Sequence, residues 1–94
     1  MNSQLSVYRS DRYLSDLQAV YDYIEQDNPD AAMSMLLLID EQVDSLRDPN
    51  FPRRRGRKTG TLELVAHPNY VVVITQTKTV VSALAILHVA RQYP

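Results

Sequence analysis

The end of the chain carries the side chains best suited to acid–base chemistry. His88, Arg91 and Tyr93 follow an apolar run that is typical of a strand. They can converge if the strand ends there and the chain bends back. A ribonuclease that uses the RNA 2′-hydroxyl as its nucleophile needs a base, an acid and a cation on the phosphate. These three residues are therefore the catalytic candidates. The alternative is that His88 is a strand-end histidine that bonds to the backbone or to the Tyr93 hydroxyl.

A second candidate site is residues 53–58, here called the basic segment. Five of its six residues are cations, namely Arg53, Arg54, Arg55, Arg57 and Lys58. Like charges this close repel one another, so we predict a solvated loop that binds an anionic partner in a salt-dependent way. Nucleic acid and an acidic protein segment are both possible partners. A loop that is merely solvated is the third possibility.

The charge distribution also separates the two halves of the chain. Ten of the eleven acidic residues lie within residues 1–48, whereas seven of the ten basic residues follow. Such asymmetry suggests that one surface meets a polyanion or an acidic peptide. Glu63 is the only acid of the second half, and we expect it to pair with Lys78 or with an arginine of the basic segment rather than to act as a base.

Metal and cofactor sites find no support in the sequence. The chain has no cysteine, and its two histidines, His67 and His88, are far apart in sequence. A thiolate site is therefore excluded, and a histidine-based zinc site is not expected. His67 precedes Pro68, which is typical of an exposed turn residue. Gly56 and Gly60 alone cannot form a glycine-rich phosphate loop.

The length and composition predict one small domain, residues 1–94, of modest stability. A partner could supply further stability. The sequence contains no apolar run of about 18 residues, and polar residues stand at the start where a signal peptide would need an apolar core. We therefore expect a cytoplasmic protein with no membrane contact.

Apolar spacing predicts a strand over residues 4–9 followed by two helices. Ser10 or Asp11 can cap the first helix, and Asn28 caps the second, with Pro29 at its first position. The second helix should end near Asp48, because Pro49 cannot continue it. The predicted buried positions of the first helix are Leu14, Leu17, Val20, Tyr21 and Ile24. Those of the second are Ala32, Met35, Leu36, Ile39, Val43 and Leu46.

The second helix carries more apolar surface than one buried face requires. Met33, Leu37 and Leu38 lie beside or outside its main stripe. They either pack against the first helix in a helical hairpin or contact a partner.

The second half of the chain predicts three strands. Residues 61–66 alternate, residues 67–69 form a turn, and residues 70–77 are a β-branched run typical of a central strand. Lys78 marks a hairpin, after which residues 79–88 complete an antiparallel meander. The expected fold class is α+β, in the order β-α-α-β-β-β.

Four blocks give the chain a resemblance to a known family. They are residues 17–24, residues 27–32, residues 60–70 and residues 86–94, in family order and over nearly the whole chain. In these blocks the chain resembles the ParE branch of the RelE/ParE toxins of bacterial toxin–antitoxin systems. The resemblance implies a twisted sheet with the helical hairpin on one face. It also implies a cognate antitoxin, DNA contact only through that antitoxin, and DNA gyrase as the target.

The same superfamily includes ribosome-dependent ribonucleases, and the chain departs from their pattern. Leu62 stands where these toxins commonly carry an arginine, and Ile74, Thr75 and Gln76 stand where many carry Tyr-Arg. Two polar groups expected on the concave face are thus missing, which favours binding over catalysis. A RelE-like ribonuclease and an inactive interaction module of the same fold are the alternatives. The family resemblance makes Arg91 and Tyr93 candidate target contacts.

Overall fold

The computed structural model describes residues 4–92, with side chains up to residue 90. Two helices follow the first strand, and four strands and a short helix complete the described part of the chain. The elements are β1 Ser6–Arg9, α1 Asp11–Glu25, α2 Pro29–Ser45, β2 Arg54–Arg55, β3 Leu62–His67, β4 Tyr70–Gln76, β5 Val80–His88 and α3 Val89–Gln92. The α+β order predicted from the sequence is confirmed. Two short elements, β2 and α3, were not predicted.

The five strands form one mixed sheet in the order β1-β5-β4-β3-β2. Strands β3, β4 and β5 form the predicted antiparallel meander. Strand β1 pairs with β5 in parallel, with Val7 opposite Val81. The helical hairpin between β1 and the meander provides the long connection that a parallel pair requires.

Both helices begin where the sequence predicts. The Ser10 side chain accepts a hydrogen bond from the Tyr13 amide, and the Asn28 side chain accepts one from the Ala31 amide, each at 3.0 Å. These contacts satisfy amides that the first turn of a helix leaves without partners. Pro29 occupies the first turn of α2, where its missing N–H costs nothing.

The predicted buried face of α1 is wrong at one position. Leu14 is 48% exposed, whereas Tyr13 is fully buried. The stripe that packs on the sheet contains Tyr13, Leu17 and Val20, whose spacing of four and three residues also fits one helix face. Leu14 lies beside that face.

The predicted face of α2 is largely confirmed. Ala32, Ile39, Val43 and Leu46 are buried, and Met35 and Leu36 are partly buried against the same core. The three additional apolar residues do not pack into the hairpin. Met33, Leu37 and Leu38 are 47%, 48% and 39% exposed, so the hairpin does not bury them against α1.

Polar side chains fasten the helices to the irregular parts of the sheet. Asp16 of α1 accepts a hydrogen bond from the Ile86 amide at 2.9 Å, and the Gln42 amide of α2 donates to the Ala66 carbonyl at 2.6 Å. Ala66 lies at a register shift between β3 and β4, and Ile86 lies beyond Ala83, the last residue of β5 that pairs with β1, so each lacks a strand partner on one side. Within residues 4–92, no helix is long and apolar enough to cross a membrane.

Candidate functional site

The sheet has a covered face and an open face. Leu64, Val72 and Ile86 belong to the core cluster formed with the helices, so they define the covered face. Side chains one position away along each strand project to the other side, the open face. Val73 and Ala85 are paired neighbours there. The two faces decide which of the candidate residues can act together.

Arg53 of the basic segment forms hydrogen bonds within the chain. Its guanidinium donates to the carbonyls of Leu46, Asp48 and Phe51 at 3.3, 2.6 and 2.9 Å, and to Oε1 of Gln76 at 2.7 Å. Partial burial lowers the pKa of Arg53, although the negative charge of Asp48 acts in the opposite direction and raises it. Arg53 therefore joins the end of α2 to β4 rather than standing in solvent.

Glu63 holds two more arginines. Its side chain is 4% exposed. Oε1 accepts hydrogen bonds from Nη2 and Nε of Arg54 at 2.9 and 3.1 Å. Oε2 lies 3.4 Å from the backbone N–H of Arg57 and 3.6 Å from its Nε. A buried carboxylate requires such compensation. The predicted pairing of Glu63 with an arginine of the basic segment is confirmed.

The basic segment is an ordered hairpin rather than the solvated loop predicted from its charge. Arg54 and Arg55 pair with Glu63 and Leu62 as strand β2. The self-repulsion that favours a loop is offset because three of the five cations have acceptors within the chain. Among the described residues, no ion pair involves Arg55 or Lys58, and both side chains are exposed.

Both glycines of the chain serve the turn of this hairpin. The Gly56 amide donates to the Thr61 carbonyl at 2.8 Å. A Cβ at Gly56 would lie 2.2 Å from Oγ1 of Thr61 and 2.9 Å from its carbonyl oxygen, so no side chain fits there. Gly60 has a φ of 88°, a conformation that other residues rarely adopt. The turn thus fixes the position of Lys58.

A cleft of about 300 Å³ lies on the open face beside this turn. Val73, Ala85 and Leu87 form its apolar part, and Arg57, Lys58 and Glu63 contribute polar side chains. Cations at the margin of an apolar surface suit a ligand that has both an apolar group and a negative charge. Sequence reasoning missed this cleft, because nothing local shows that residues 57, 73 and 85 meet.

His88 lies on the covered face, inside an aromatic cluster. It pairs with Tyr70 across β4 and β5 and stacks on it, with centroids 4.8 Å apart and planes at 24°. The Tyr23 ring of α1 is 5.8 Å away. His67 lies 6.1 Å from Tyr70, so the two histidines, distant in sequence, flank one buried tyrosine. Arg91 belongs to α3, and Tyr93 lies outside the described residues.

Leu62 and Ile74, which differ from the residues that related toxins carry at these positions, lie on the covered face of the sheet. Leu62 pairs with Ile74, and both pack against the core. The inference that these positions empty the concave face of polar groups was therefore wrong for Leu62 and Ile74. Thr75 projects to the open face, and Gln76 accepts from Arg53. Cations reach the open face from the basic segment instead.

A polar network between β1, α1 and α2 was also missed. Oδ1 of Asp40 accepts from the Tyr13 hydroxyl and from Nε of Arg9, each at 2.9 Å. Burial and the hydrogen bond to Asp40 raise the pKa of Tyr13 well above its ordinary value. Burial lowers the pKa of Arg9, but the hydrogen bond and charge of Asp40 outweigh it, so the net direction is up. This network joins both helices of the hairpin to strand β1 of the sheet.

Comparison with known proteins identifies relatives of this chain. Residues 7–93 match the family described as "ParE toxin of type II toxin-antitoxin system, parDE". The chain is 41% identical over 81 residues to "Toxin RelE2" of Caulobacter vibrioides, a match that covers 85% of this chain and 90% of that protein.

Solved structures share the fold. "Chromosomal ParDE TA system from P. aeruginosa" superposes with a TM-score of 0.83 at 21% identity, covering 93% of this chain and 98% of that one. "Crystal structure of the E. coli DinJ-YafQ toxin-antitoxin complex" gives a TM-score of 0.54 at 16% identity, covering 97% and 99%. At these identities the likeness concerns the fold alone.

Proposed function

The chain belongs to the ParE toxin family of type II toxin–antitoxin systems, and we propose that it inhibits growth by binding its target rather than by cleaving RNA. DNA gyrase is the proposed target, on the strength of the resemblance to the ParE branch. The proposed site of action is the cytoplasm, where gyrase works. A cognate antitoxin neutralises the toxin in this proposal.

The observation that carries the binding mechanism is the separation of His88 from the open-face cations. His88 stacks on Tyr70 on the covered face, whereas Arg57 and Lys58 border the open-face cleft. Cleavage through the RNA 2′-hydroxyl needs a proton-transfer group and phosphate-binding cations around one phosphate. The sheet lies between these two sets of side chains. This arrangement supports binding more than catalysis.

The antitoxin is proposed to contact two surfaces. One is the exposed apolar pair Met33 and Leu37 on α2, which lie one helical turn apart and so share a face. The other is the basic segment, which suits acidic side chains of the antitoxin. The similar E. coli and P. aeruginosa structures are of a DinJ-YafQ toxin-antitoxin complex and of a chromosomal ParDE system. Contact with DNA would be indirect, through the antitoxin.

Controlled expression in a bacterial host tests this proposal. The chain alone should arrest growth, and joint expression of the protein encoded by the adjacent reading frame should restore it. The two proteins should also purify together as a complex. Growth that continues at full expression of the chain would contradict the proposal and favour an inactive interaction module.

A further inference from the structure

The five cations of the basic segment are not equivalent. Arg53 bonds to three backbone carbonyls and Gln76, and Arg54 and Arg57 share the carboxylate of Glu63. These three guanidinium groups already have acceptors within the chain. Arg55 and Lys58 are exposed and form none of the ion pairs found in residues 4–92.

The two remaining cations point in different directions. Arg54 is opposite Glu63, and its guanidinium reaches the Glu63 carboxylate on the open face. Arg55 is opposite Leu62, whose side chain packs on the covered face. Neighbouring residues of a strand project to opposite sides, so Arg55 faces away from the open-face cleft. Lys58 borders that cleft.

The shape and lining of the cleft favour a peptide over a nucleic acid. Its apolar part is aliphatic, from Val73, Ala85 and Leu87, and includes no ring on which a base could stack. An aliphatic side chain fits such a surface, and a carboxylate beside it would meet Lys58.

We propose that the open-face cleft binds an aliphatic side chain of an acidic peptide segment, and that Lys58 is the cation that selects for acidic sequences. Glu63 holds Arg54 and Arg57, and Arg57 is the neighbour of Lys58 in the turn. This inference rests on the proposed function, since the segment belongs to the antitoxin. It assigns the contact to one cation of the five.

Three single variants test the assignment against the purified antitoxin in a binding titration. Lys58→Glu reverses the charge at the cleft, and Arg55→Glu makes the same change on the other side of the same hairpin. Ala85→Phe fills the cleft without a charge change. We expect the dissociation constant to rise about tenfold or more for Lys58→Glu and Ala85→Phe, and less than about threefold for Arg55→Glu. Thermal melting verifies that each variant is folded.

Equal losses for Lys58→Glu and Arg55→Glu would overturn the assignment, because only net charge would then matter. Unchanged binding by Lys58→Glu or Ala85→Phe would also overturn it, while leaving the antitoxin proposal intact. Absence of binding by the unmodified chain would instead defeat the proposed function. As a competitor we choose a twelve-nucleotide single-stranded RNA. If it binds in a Lys58-dependent way and displaces the antitoxin, the cleft is a nucleic-acid site and the peptide assignment is wrong.

Discussion

The guanidinium of Arg54 donates two hydrogen bonds to a single carboxylate oxygen of Glu63, at 2.9 and 3.1 Å, across the strand pair β2 and β3. The Glu63 side chain is 4% exposed and that of Arg54 is 56% exposed. A surface arginine thus compensates a buried acid. This ion pair stabilises β2 as an edge strand of the sheet, although the strand lies within a run of like charges.

Removal of Arg54 should therefore destabilise the fold. Arg54→Ala leaves Glu63 with Arg57 alone, and loss of a partner from a buried charged group costs about 1–3 kcal/mol. Arg55→Ala is the matched control and should change stability by less than about 0.5 kcal/mol. Urea denaturation of the three proteins measures the difference. Equal stability of the two variants would show that the Arg54–Glu63 contact contributes nothing.

Stability at alkaline pH should report on Tyr13. Because its pKa is raised in the folded protein, the folded state keeps the phenol proton above pH 10, where the unfolded state loses it. The contribution of the neutral Tyr13 phenol to the free energy of unfolding is fully present below about pH 10. Above that pH it declines by up to about 1.4 kcal/mol per pH unit.

Tyr13→Phe should cost about 1 kcal/mol at pH 7, because the hydroxyl no longer donates to Asp40. The variant should also lose stability less steeply above pH 10, so the two curves converge. Urea denaturation at pH 7, 10 and 11 measures this. Parallel curves would mean that Tyr13 ionises equally in both states.

Regular features of the fold were predictable because their causes are local. Ser10 and the Asn28-Pro29 pair cap their helices through contacts within one turn, and the β-branched run of β4 needs no distant partner to predict a strand. Tyr13 was missed because a buried phenol depends on Asp40, 27 residues away. Strand β2 was missed because it depends on the ion pair between Arg54 and Glu63, a tertiary contact.

The candidate site was predicted less well than the fold. The composition of the basic segment is visible in sequence, but its division into paired and exposed cations is not. Leu62 was assigned to the wrong face, since a shift of one residue reverses the side of a strand. The stacking of His88 on Tyr70 arises from the register of β4 and β5, which no local pattern specifies.

Substitution of His88 should affect stability more than toxicity. His88→Ala removes the ring that stacks on Tyr70, and an aromatic contact of this kind contributes about 0.5–1.5 kcal/mol. His88→Phe keeps a ring but cannot transfer a proton. We expect both variants to arrest growth at matched expression, with a lower melting temperature for alanine. Loss of arrest in both would indicate proton transfer by His88, because catalytic acids and bases typically contribute about a hundredfold or more.

The exposed apolar pair on α2 should be needed for the antitoxin and not for the fold. Met33→Glu and Leu37→Glu change residues that are about half exposed, so the stability of the free chain should change by less than about 0.5 kcal/mol. Each should weaken antitoxin binding about tenfold if that surface is buried in the complex. Ser34→Glu, at an exposed position of the same helix, is the control for added charge. If all three variants bind the antitoxin as strongly as the unmodified chain does, this surface of α2 is not part of the interface.

The most direct test of the binding mechanism compares two activities in one preparation of the purified chain. We predict that the chain inhibits supercoiling by DNA gyrase and leaves ribosome-bound messenger RNA intact. Arg91→Ala and Tyr93→Ala should reduce the inhibition, because the family resemblance makes these residues target contacts, whereas His88→Ala should retain it. Cleavage of the messenger by the unmodified chain that disappears in His88→Ala, with gyrase unaffected, would contradict the account.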